Sequence, residues 1–332
     1  MLYISNILYK IMCKPFVFIY PGQGSQKVGM GKDLYENSQV AKEVFQEVDE
    51  TLKEKLSNLI FNGEEKKLKI TSNTQPALMV MCMAIVKVLE KEIGKKISDY
   101  VEVVLGHSLG EYTALCSINS IDLGTTAKLL RIRGDAMQNS VEQVQTRMVA
   151  VLGCDIEEIE KEIQKKKYTD DFLCEIANDN CPGQVILSGT KKGVDLASDN
   201  LKKAGARSIV DLNVSAPFHC SLMKPASNIM KKALDGIDIR PLRTKLISNV
   251  SADYVEDPKK IKKLLVDQVY SRVKWRESIE KISSLGISNV VEIGPGKVLT
   301  GLNKRIGLEK ELFNISDIKS IDLFIEKFRN EL

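Results

Sequence analysis

The chain has few of the residues on which metal sites and disulfide frameworks depend. Its 332 residues include only two histidines and seven cysteines. The cysteines are scattered and form no C-x-x-C pair, so the sequence indicates neither a zinc site nor a disulfide framework. Free thiols are typical of a reducing compartment, and we therefore expect no bound metal and a cytoplasmic protein with reduced cysteines.

Long hydrophobic runs and a large excess of one charge are also missing. The longest apolar run, Ala77 to Val86, has ten residues. This is half of the ~20 that a membrane helix needs, so the run predicts a buried helix. The 48 basic and 44 acidic residues leave a net charge of +4, which is too small to indicate nucleic acid by itself. We expect neither a membrane nor a nucleic acid among the partners.

The first residues do not have the pattern of a targeting signal. The segment from Met1 to Met12 is apolar in places, but polar residues interrupt it and no small-residue cleavage site follows. A second methionine at its end lies just before the first convincing strand. We interpret residues 1–13 as an N-terminal extension outside the fold.

Apolar runs that end in glycine-containing loops predict a parallel α/β sheet. Phe16 to Tyr20 has the pattern of a buried strand and breaks at Pro21-Gly22-Gln23-Gly24-Ser25-Gln26. Parallel α/β sheets carry their active sites on such loops. We expect helices around 40–56, 75–90, 125–140 and 258–269, and further strands at 101–105, 246–250 and 290–293.

Residues 148–214 follow a different pattern. The predicted order there is strand, helix, strand, strand, helix, strand, which is the ferredoxin-like arrangement. The strands are expected at 148–152, 173–177, 184–188 and 207–214, and the helices at 155–167 and 193–204. We interpret residues 143–214 as a small inserted domain, and residues 14–142 together with 215–332 as the main domain.

Gly106-His107-Ser108-Leu109-Gly110 is a G-x-S-x-G pentapeptide between a predicted strand and a helix-like segment. A nucleophile elbow requires this context, because the sharp turn presents the serine hydroxyl clear of the sheet. The glycines let the backbone pass close to itself. Ser108 is therefore a candidate nucleophile, although short pentapeptides of this kind also arise by chance.

The two histidines are the candidates for the base that a serine nucleophile needs. His107 is adjacent to Ser108 but should project differently from the turn. His219 lies where the inserted domain returns the chain to the main domain, and a cleft forms at such a junction. His219 is the better candidate, and a purely structural histidine is the alternative.

Five separate motifs follow one another along the chain. They are Pro21-Gly22-Gln23-Gly24-Ser25-Gln26, Gly106-His107-Ser108-Leu109-Gly110-Glu111, Arg131-Ile132-Arg133-Gly134-Asp135-Ala136-Met137-Gln138, Ala216-Pro217-Phe218-His219 and Glu292-Ile293-Gly294-Pro295-Gly296. In order and spacing the set resembles malonyl-CoA:acyl-carrier-protein transacylases, and the resemblance covers essentially everything from Lys14 onward. It implies an α/β fold with an α/β-hydrolase-like core, a parallel sheet and an inserted ferredoxin-like small domain.

The resemblance implies a two-step, ping-pong acyl transfer. A malonyl group would pass from malonyl-CoA to the serine matching Ser108, with the histidine matching His219 acting as base and then as acid. It would then pass to the phosphopantetheine thiol of acyl carrier protein for fatty-acid synthesis. The expected partners are malonyl-CoA as donor substrate and acyl carrier protein, with no permanently bound cofactor, and we expect a monomer.

Three further positions would serve the acyl group. Arg133 would hold the malonyl carboxylate through two parallel hydrogen bonds, and spacing relative to Gly134 favours it over Arg131. In the family, main-chain N–H groups at the positions matching Gln23 and Leu109 bind the oxyanion.

The resemblance also assigns four residues around the histidine. The main-chain carbonyl of Gln268 would orient His219 in place of a triad acid; a helix-surface amide is the alternative. His107, Asn180 and Phe218 are expected to contribute to substrate binding. The bulk of Phe218 would crowd an α-methyl branch and so favour malonyl groups.

Other functions stay open from the residues alone. A serine hydrolase or thioesterase would share the elbow and the histidine, but it has no need to hold a free carboxylate with Arg133. A non-enzymatic carrier-binding protein would not need the full set of Ser108, His219 and Arg133. The Gly22-Gln23-Gly24 loop lacks the Lys-Ser/Thr ending of a phosphate-binding P-loop.

Basic residues near the expected active edge are candidates for docking an acidic carrier protein. Charge complementarity of this kind speeds and orients encounter between proteins. The alternative is an ordinary solvated surface. The residues concerned are Lys224, Arg272, Lys274 and Arg276.

Overall fold

Two sheets with helices packed around them make up the structure, a computed structural model that describes residues 15–141, 144–165 and 170–332. The predicted N-terminal extension, residues 1–13, lies outside the described residues. The strands are β1 (Phe16–Tyr20), β2 (Val101–Gly106), β3 (Thr146–Leu152), β4 (Cys174–Cys181), β5 (Gln184–Thr190), β6 (Ser208–Asp211), β7 (Lys245–Ile247), β8 (Tyr254–Val255), β9 (Asn289–Ile293) and β10 (Glu311–Ile315).

The helices occupy most of the chain between the strands. They are α1 (Lys32–Asn37), α2 (Gln39–Leu52), α3 (Leu56–Asn62), α4 (Glu65–Leu68), α5 (Thr71–Ile93), α6 (Ile97–Tyr100), α7 (Gly110–Ser117), α8 (Leu123–Gln138), α9 (Ile156–Ile163), α10 (Lys191–Lys203), α11 (Lys224–Asp235), α12 (Pro258–Gln268), α13 (Trp275–Ser283), α14 (Val298–Ile306) and α15 (Ile318–Lys327). Of the helices in these ranges, none combines the length and the apolar character that crossing a membrane requires.

The larger sheet has the strand order β10-β9-β1-β2-β7-β8. Its strands run parallel except β8, which is antiparallel to β7. β1 is apolar throughout and buried along its whole length, as expected for a central strand covered on both faces. Because parallel strands end at the same edge, the loops after Tyr20, Gly106 and Ile247 lie together. This edge carries the candidate site.

The main core is built around helix α5. All residues from Ala77 to Val86 are buried, so the prediction of a buried helix is confirmed. The helix packs against α2 and α8 on one side of the large sheet. A helix that is apolar on nearly every face belongs in the interior of a large domain, which explains why this run does not need a membrane.

The smaller sheet has the strand order β4-β5-β3-β6 and is antiparallel throughout. Helices α9 and α10 cover one face. In β3, Val149 and Val151 point to that helix-covered core, whereas Met148 and Ala150 join the main core. The alternation of side chains along a strand thus lets one sheet close its own small core and also form a wall of the larger one.

A buried aspartate links the smaller sheet to the main body. The Asp179 side chain at the end of β4 is 1% exposed, and its Oδ2 lies 3.0 Å from Arg272 Nη2 and 2.8 Å from Arg276 Nη2. Main-chain bonds from Val273 N to the Ala177 oxygen, 2.8 Å, and from Asp179 N to the Val273 oxygen, 3.0 Å, run alongside. These contacts fix where β4 stands relative to the large sheet.

Several element bounds differ from the expected ones. The helix expected at 40–56 is two helices, because Lys53 has a φ of 55° and ends α2. The strand expected at 207–214 is the shorter β6, and the one expected at 173–177 continues through β4. β8 and β10 have no predicted counterpart, and both lie at edges of the large sheet.

Candidate active site

Ser108 stands at a sharp turn between β2 and α7. Its φ is 54°, in the left-handed region. The turn is so tight that a Cβ added to Gly106 would lie 2.0 Å from the carbonyl carbon of Gly110, which no side chain could tolerate. The predicted strand, turn and helix are therefore present, and the serine hydroxyl faces a cavity of about 450 Å³.

His219 reaches Ser108 from the segment that follows the small sheet. Its Nε2 lies 2.8 Å from Ser108 Oγ, and its Nδ1 lies 2.8 Å from the main-chain oxygen of Gln268. Because a carbonyl oxygen can only accept, Nδ1 must carry the hydrogen, which leaves Nε2 free to accept the serine proton. No carboxylate takes part in this contact, and the Gln268 carbonyl occupies the place of a triad acid.

The environment keeps His219 uncharged. Burial, followed by the nearby Arg133 guanidinium, lowers the pKa of His219 to about 3. Burial disfavours the imidazolium because it removes water from the charge, and a neighbouring cation disfavours it further. At neutral pH the ring is therefore uncharged, and its Nε2 is an acceptor beside the serine hydroxyl.

Arg133 lies on α8 with its guanidinium beside Ser108, and the residue is 1% exposed. Its Nη1 donates to Gln75 Oε1 at 2.9 Å, and its Nη2 donates to Gln268 Oε1 at 2.9 Å and to Ser108 Oγ at 3.1 Å. Its Nε has no acceptor. None of the ion pairs found among the described residues involves Arg133. A buried cation without a carboxylate of the protein thus faces the serine hydroxyl.

Two residues beside Ser108 offer main-chain N–H groups to the same cavity wall. Gln23 follows β1 and Leu109 follows Ser108, and both line the cavity. In the described ranges neither N–H has an acceptor in the protein. The loop is held tightly on the elbow, since a Cβ added to Gly22 would lie 2.8 Å from the oxygen of His107. The arrangement suits an oxyanion at a carbon attached to the serine oxygen.

Apolar side chains close the other side of the cavity. Phe218 lies next to His219 and packs on Met148, whose sulfur lies 3.2 Å from the Phe218 nitrogen. Met137, one helical turn beyond Arg133, completes this wall. A larger cavity of about 710 Å³, between α1 and α15, contains none of the candidate residues.

His107 and Asn180 form a contact between the two sheets. His107 Nε2 lies 3.0 Å from Asn180 Oδ1, and burial lowers the pKa of His107. His107 lines the cavity, whereas Asn180 touches His107 and its neighbour Asn178 reaches the cavity instead. Among the residues that the structure describes, no group of His, Cys, Asp or Glu could hold a metal ion.

The chain matches the family described as the acyl transferase domain over residues 17–324. It is 43% identical over 314 residues to the malonyl CoA-acyl carrier protein transacylase of Bacillus subtilis (strain 168), covering 95% of this chain and 97% of that protein. The chain belongs to this transacylase family. The chain is also 36% identical over 315 residues to the malonyl CoA-acyl carrier protein transacylase of Haemophilus influenzae, covering 95% of this chain and 99% of that protein.

Solved structures agree with this assignment. The acyl-carrier-protein S-malonyltransferase from Bartonella henselae has a TM-score of 0.90 at 44% identity, covering 95% of this chain and 99% of that one. A malonyl-transacylase in complex with its type II PKS acyl-carrier protein has a TM-score of 0.89 at 36% identity, covering 94% of this chain and 99% of that one. The transacylase fold thus extends over nearly the whole chain.

The sequence predictions assign no role to three polar residues of this candidate site. Asn249 Oδ1 accepts from Ser108 N at 2.7 Å, and its Nδ2 donates to the Gly106 oxygen at 2.7 Å, so it holds both ends of the turn. Gln75 Oε1 accepts from Arg133 Nη1, and Glu111 Oε2 accepts from the main-chain N of Asn249. The sequence signal for Asn249 is its place after a strand at the active edge, but its contacts require the assembled sheet.

The predicted docking patch of the transacylase is largely engaged in internal ion pairs. Arg272 and Arg276 both bind Asp179, as described above, and Lys274 Nζ lies 3.4 Å from Glu277 Oε2. The two arginines therefore anchor the small sheet. Their use as a docking patch stays a prediction.

Proposed function

We propose that this chain transfers a malonyl group from malonyl-CoA to the phosphopantetheine thiol of acyl carrier protein. The names of its relatives support the substrate pair, and the solved complex of a related malonyl-transacylase with its carrier protein supports the acceptor. In this proposal Ser108 is the nucleophile and His219 the base. Gln23 and Leu109 form the oxyanion hole, and substrate-binding residues are Arg133, Gln268, His107, Asn180 and Phe218.

The observation that carries the proposal is the buried Arg133 beside the serine. A hydrolase of neutral esters gains nothing from a desolvated cation at this place. A malonyl group has its carboxylate only two carbons from the reacting carbonyl, so its partner must lie next to the nucleophile. Arg133 Nη2 is 3.1 Å from Ser108 Oγ, which suits a short diacid bound through a charge-assisted pair.

In the first half-reaction Ser108 Oγ attacks the thioester carbonyl while His219 Nε2 takes its proton. The oxyanion accepts hydrogen bonds from the N–H groups of Gln23 and Leu109. Collapse of the tetrahedral intermediate breaks the carbon–sulfur bond, and His219 returns the proton to the coenzyme A sulfur. The product is a malonyl ester on Ser108.

The second half-reaction reverses these steps with a new thiol. His219 takes the proton of the phosphopantetheine thiol, and the sulfur attacks the ester carbonyl. The same N–H groups hold the oxyanion, and the proton passes to Ser108 Oγ as the serine leaves. Water has to be kept from the ester between the two steps, and the burial of His219 and Arg133 favours this.

We further propose the domain division already expected from the sequence. Residues 14–142 and 215–332 form an α/β-hydrolase-like catalytic domain, and residues 143–214 form a ferredoxin-like small domain, with 1–13 as an extension. The order of the antiparallel strands β4-β5-β3-β6 supports the small-domain assignment, and the parallel sheet with its elbow supports the other.

The test is a mass measurement in two stages. Incubation with malonyl-CoA should add one malonyl group to Ser108, and holo acyl carrier protein should then remove it as malonyl-carrier. S108A should not acquire the adduct. Release of free malonate without transfer would identify a hydrolase and reject the proposal.

A further inference from the structure

The side chain of Gln268 joins separate parts of the candidate site. Its Oε1 accepts from Arg133 Nη2 at 2.9 Å, while its Nε2 donates to the main-chain oxygen of Ser108 at 3.0 Å. Its main-chain oxygen is occupied independently by His219. Because the side chain is wholly buried, protein groups rather than water must fix its orientation.

An amide side chain has two orientations, related by exchange of its oxygen and nitrogen. In the orientation found, Gln268 presents its oxygen to Arg133, which has only donors. In the other orientation the NH2 group would face the guanidinium, and two donors would meet in a buried place. Whatever selects the first orientation therefore also keeps Arg133 where it is.

Three acceptors face the NH2 group of Gln268, and Glu111 provides the shortest of these contacts. The other two are the main-chain oxygen of Ser108 at 3.0 Å and Asn249 Oδ1 at 3.3 Å. Glu111 lies in the first turn of α7, is 1% exposed, and its Oε2 accepts from Gln268 Nε2 at 2.7 Å. The same oxygen accepts from the main-chain N of Asn249 at 3.1 Å. Because a carboxyl oxygen facing the amide oxygen would bring two acceptors together in a buried place, Glu111 Oε2 favours the orientation with the NH2 group toward it, which leaves the amide oxygen for Arg133.

We propose that Glu111 is a positioning residue, whose carboxyl oxygen fixes the amide of Gln268 and through it holds Arg133 toward the carboxylate of the acyl group. The inference rests on the proposed malonyl transfer. The Glu111 side chain has hydrogen bonds to Asn249, Gln268 and Ser248, so it would act on substrate choice through Gln268 and Arg133.

The acceptor, rather than the charge, performs this task. Burial raises the pKa of Glu111 to about 7, opposed by hydrogen bonds that include Asn249, Gln268 and the Ser248 side chain. A proton on Oε1 leaves Oε2 as an acceptor in the neutral acid as well. The carboxyl and carboxylate forms thus position Gln268 alike.

Two substitutions of similar size distinguish the effect of the Glu111 hydrogen-bond acceptor from the effect of side-chain packing. In E111Q the amide oxygen can accept from Gln268 while its NH2 group faces Ser248, so the arrangement is retained. In E111M the side chain has nearly the same length but no comparable acceptor. The readout is the ratio of kcat/KM for malonyl-CoA to that for acetyl-CoA, measured by acylation of the full-length enzyme.

We expect E111M to lower this ratio by about tenfold, mainly through KM for malonyl-CoA, because the lost hydrogen bond loosens Arg133. E111Q should stay within about threefold of the parent ratio. Equal losses for both donors in E111M would mean a structural role only and would overturn the inference. Should E111M fail to fold, E111D withdraws the acceptor more gently and carries the same expectation.

A double-mutant cycle adds a second criterion. Gln268→Met removes the amide but keeps the main-chain carbonyl for His219, so E111M should change the ratio no further in that background. Additive effects would show that Glu111 does not act through Gln268. A parent enzyme that forms no malonyl adduct rejects the proposed function, whereas a normal parent with an unchanged E111M ratio rejects only this inference.

Discussion

Ser108 and His219, whose side chains meet at 2.8 Å, both have a left-handed backbone, with φ of 54° and 59°. Each such residue costs about 1–2 kcal/mol and persists only because the surrounding structure imposes the conformation. The two loops therefore hold the pair in place, and the strain falls on the two residues that we propose as nucleophile and base.

Replacing Ser108 by glycine should stabilise the protein relative to alanine, because glycine adopts this conformation without a steric cost. We expect the free energy of unfolding of S108G to be about 1 kcal/mol larger than that of S108A. Neither variant should form the malonyl adduct. Urea denaturation of the two variants measures the difference. The control is the same pair of variants at Ser221, which is not among the residues with positive φ, so glycine should gain no such advantage there. A more stable S108A would contradict the expectation.

Removing the guanidinium should reverse the donor preference. Arg133→Ala should lower kcat/KM for malonyl-CoA by about 100-fold, since a buried charge pair with the substrate is lost, and should affect acetyl-CoA far less. Arg131→Ala is the matched control: Arg131 is on the same helix but binds Asn73, Nη1 to Oδ1 at 2.6 Å, and Glu54. A parallel loss for both donors in R133A would show that Arg133 is structural.

Acylation should persist to low pH. With a pKa of about 3, His219 stays neutral and able to accept a proton down to about pH 4. An unshifted histidine would be about 97% protonated at pH 5 and would have lost the reaction. The acid limb of kcat/KM for acetyl-CoA, which has no carboxylate to titrate, measures this in the free enzyme.

The same experiment on Arg133→Ala checks the electrostatic cause. The guanidinium lowers the pKa of His219, so its removal should raise that pKa and move the acid limb toward neutral pH. An acid limb near pH 6.5 already in the parent, or one that does not move in R133A, would contradict this account.

Loss of Asp179 should loosen the small sheet. Asp179→Ala leaves Arg272 and Arg276 without their shared partner, and we expect a cost of about 2 kcal/mol in unfolding free energy together with a higher KM for malonyl-CoA. Glu160→Gln removes only the exposed partner of Arg272 and should cost less than about 0.5 kcal/mol. Similar stabilities for the two variants would show that the buried bridge contributes nothing.

Much of the fold could be predicted because its elements have simple local patterns. β1 is a short apolar run before a loop, α5 contains an uninterrupted apolar stretch, and both have the predicted type. The break between α2 and α3 depends on the left-handed backbone conformation of Lys53, which a lysine in the sequence does not predict. The edge strand β10 is half-exposed and takes its form from pairing with β9, which no local pattern contains.

The residues of the candidate site also fall into two groups, those that the local sequence specifies and those that depend on distant contacts. Ser108 lies in a turn that its own neighbours specify, and the scarcity of histidine leads directly to His219. Asn249 and Glu111 work through contacts with residues far away in the chain, 2.7 Å from Ser108 N and from Gln268 Nε2 respectively. Such roles are visible only after the strands and helices have assembled.

Gln268 is the last residue of α12, and carbonyls in the last turn of a helix have no partner within it. The acceptor for His219 Nδ1 is thus a main-chain atom at the negative end of a helix, where a positive charge on the ring is stabilised. Every amino acid carries that oxygen, so a substitution of Gln268 removes its side-chain hydrogen bonds but keeps the acceptor for His219 Nδ1. Only a shift of the helix itself, by insertion or deletion within α12, would take this acceptor away.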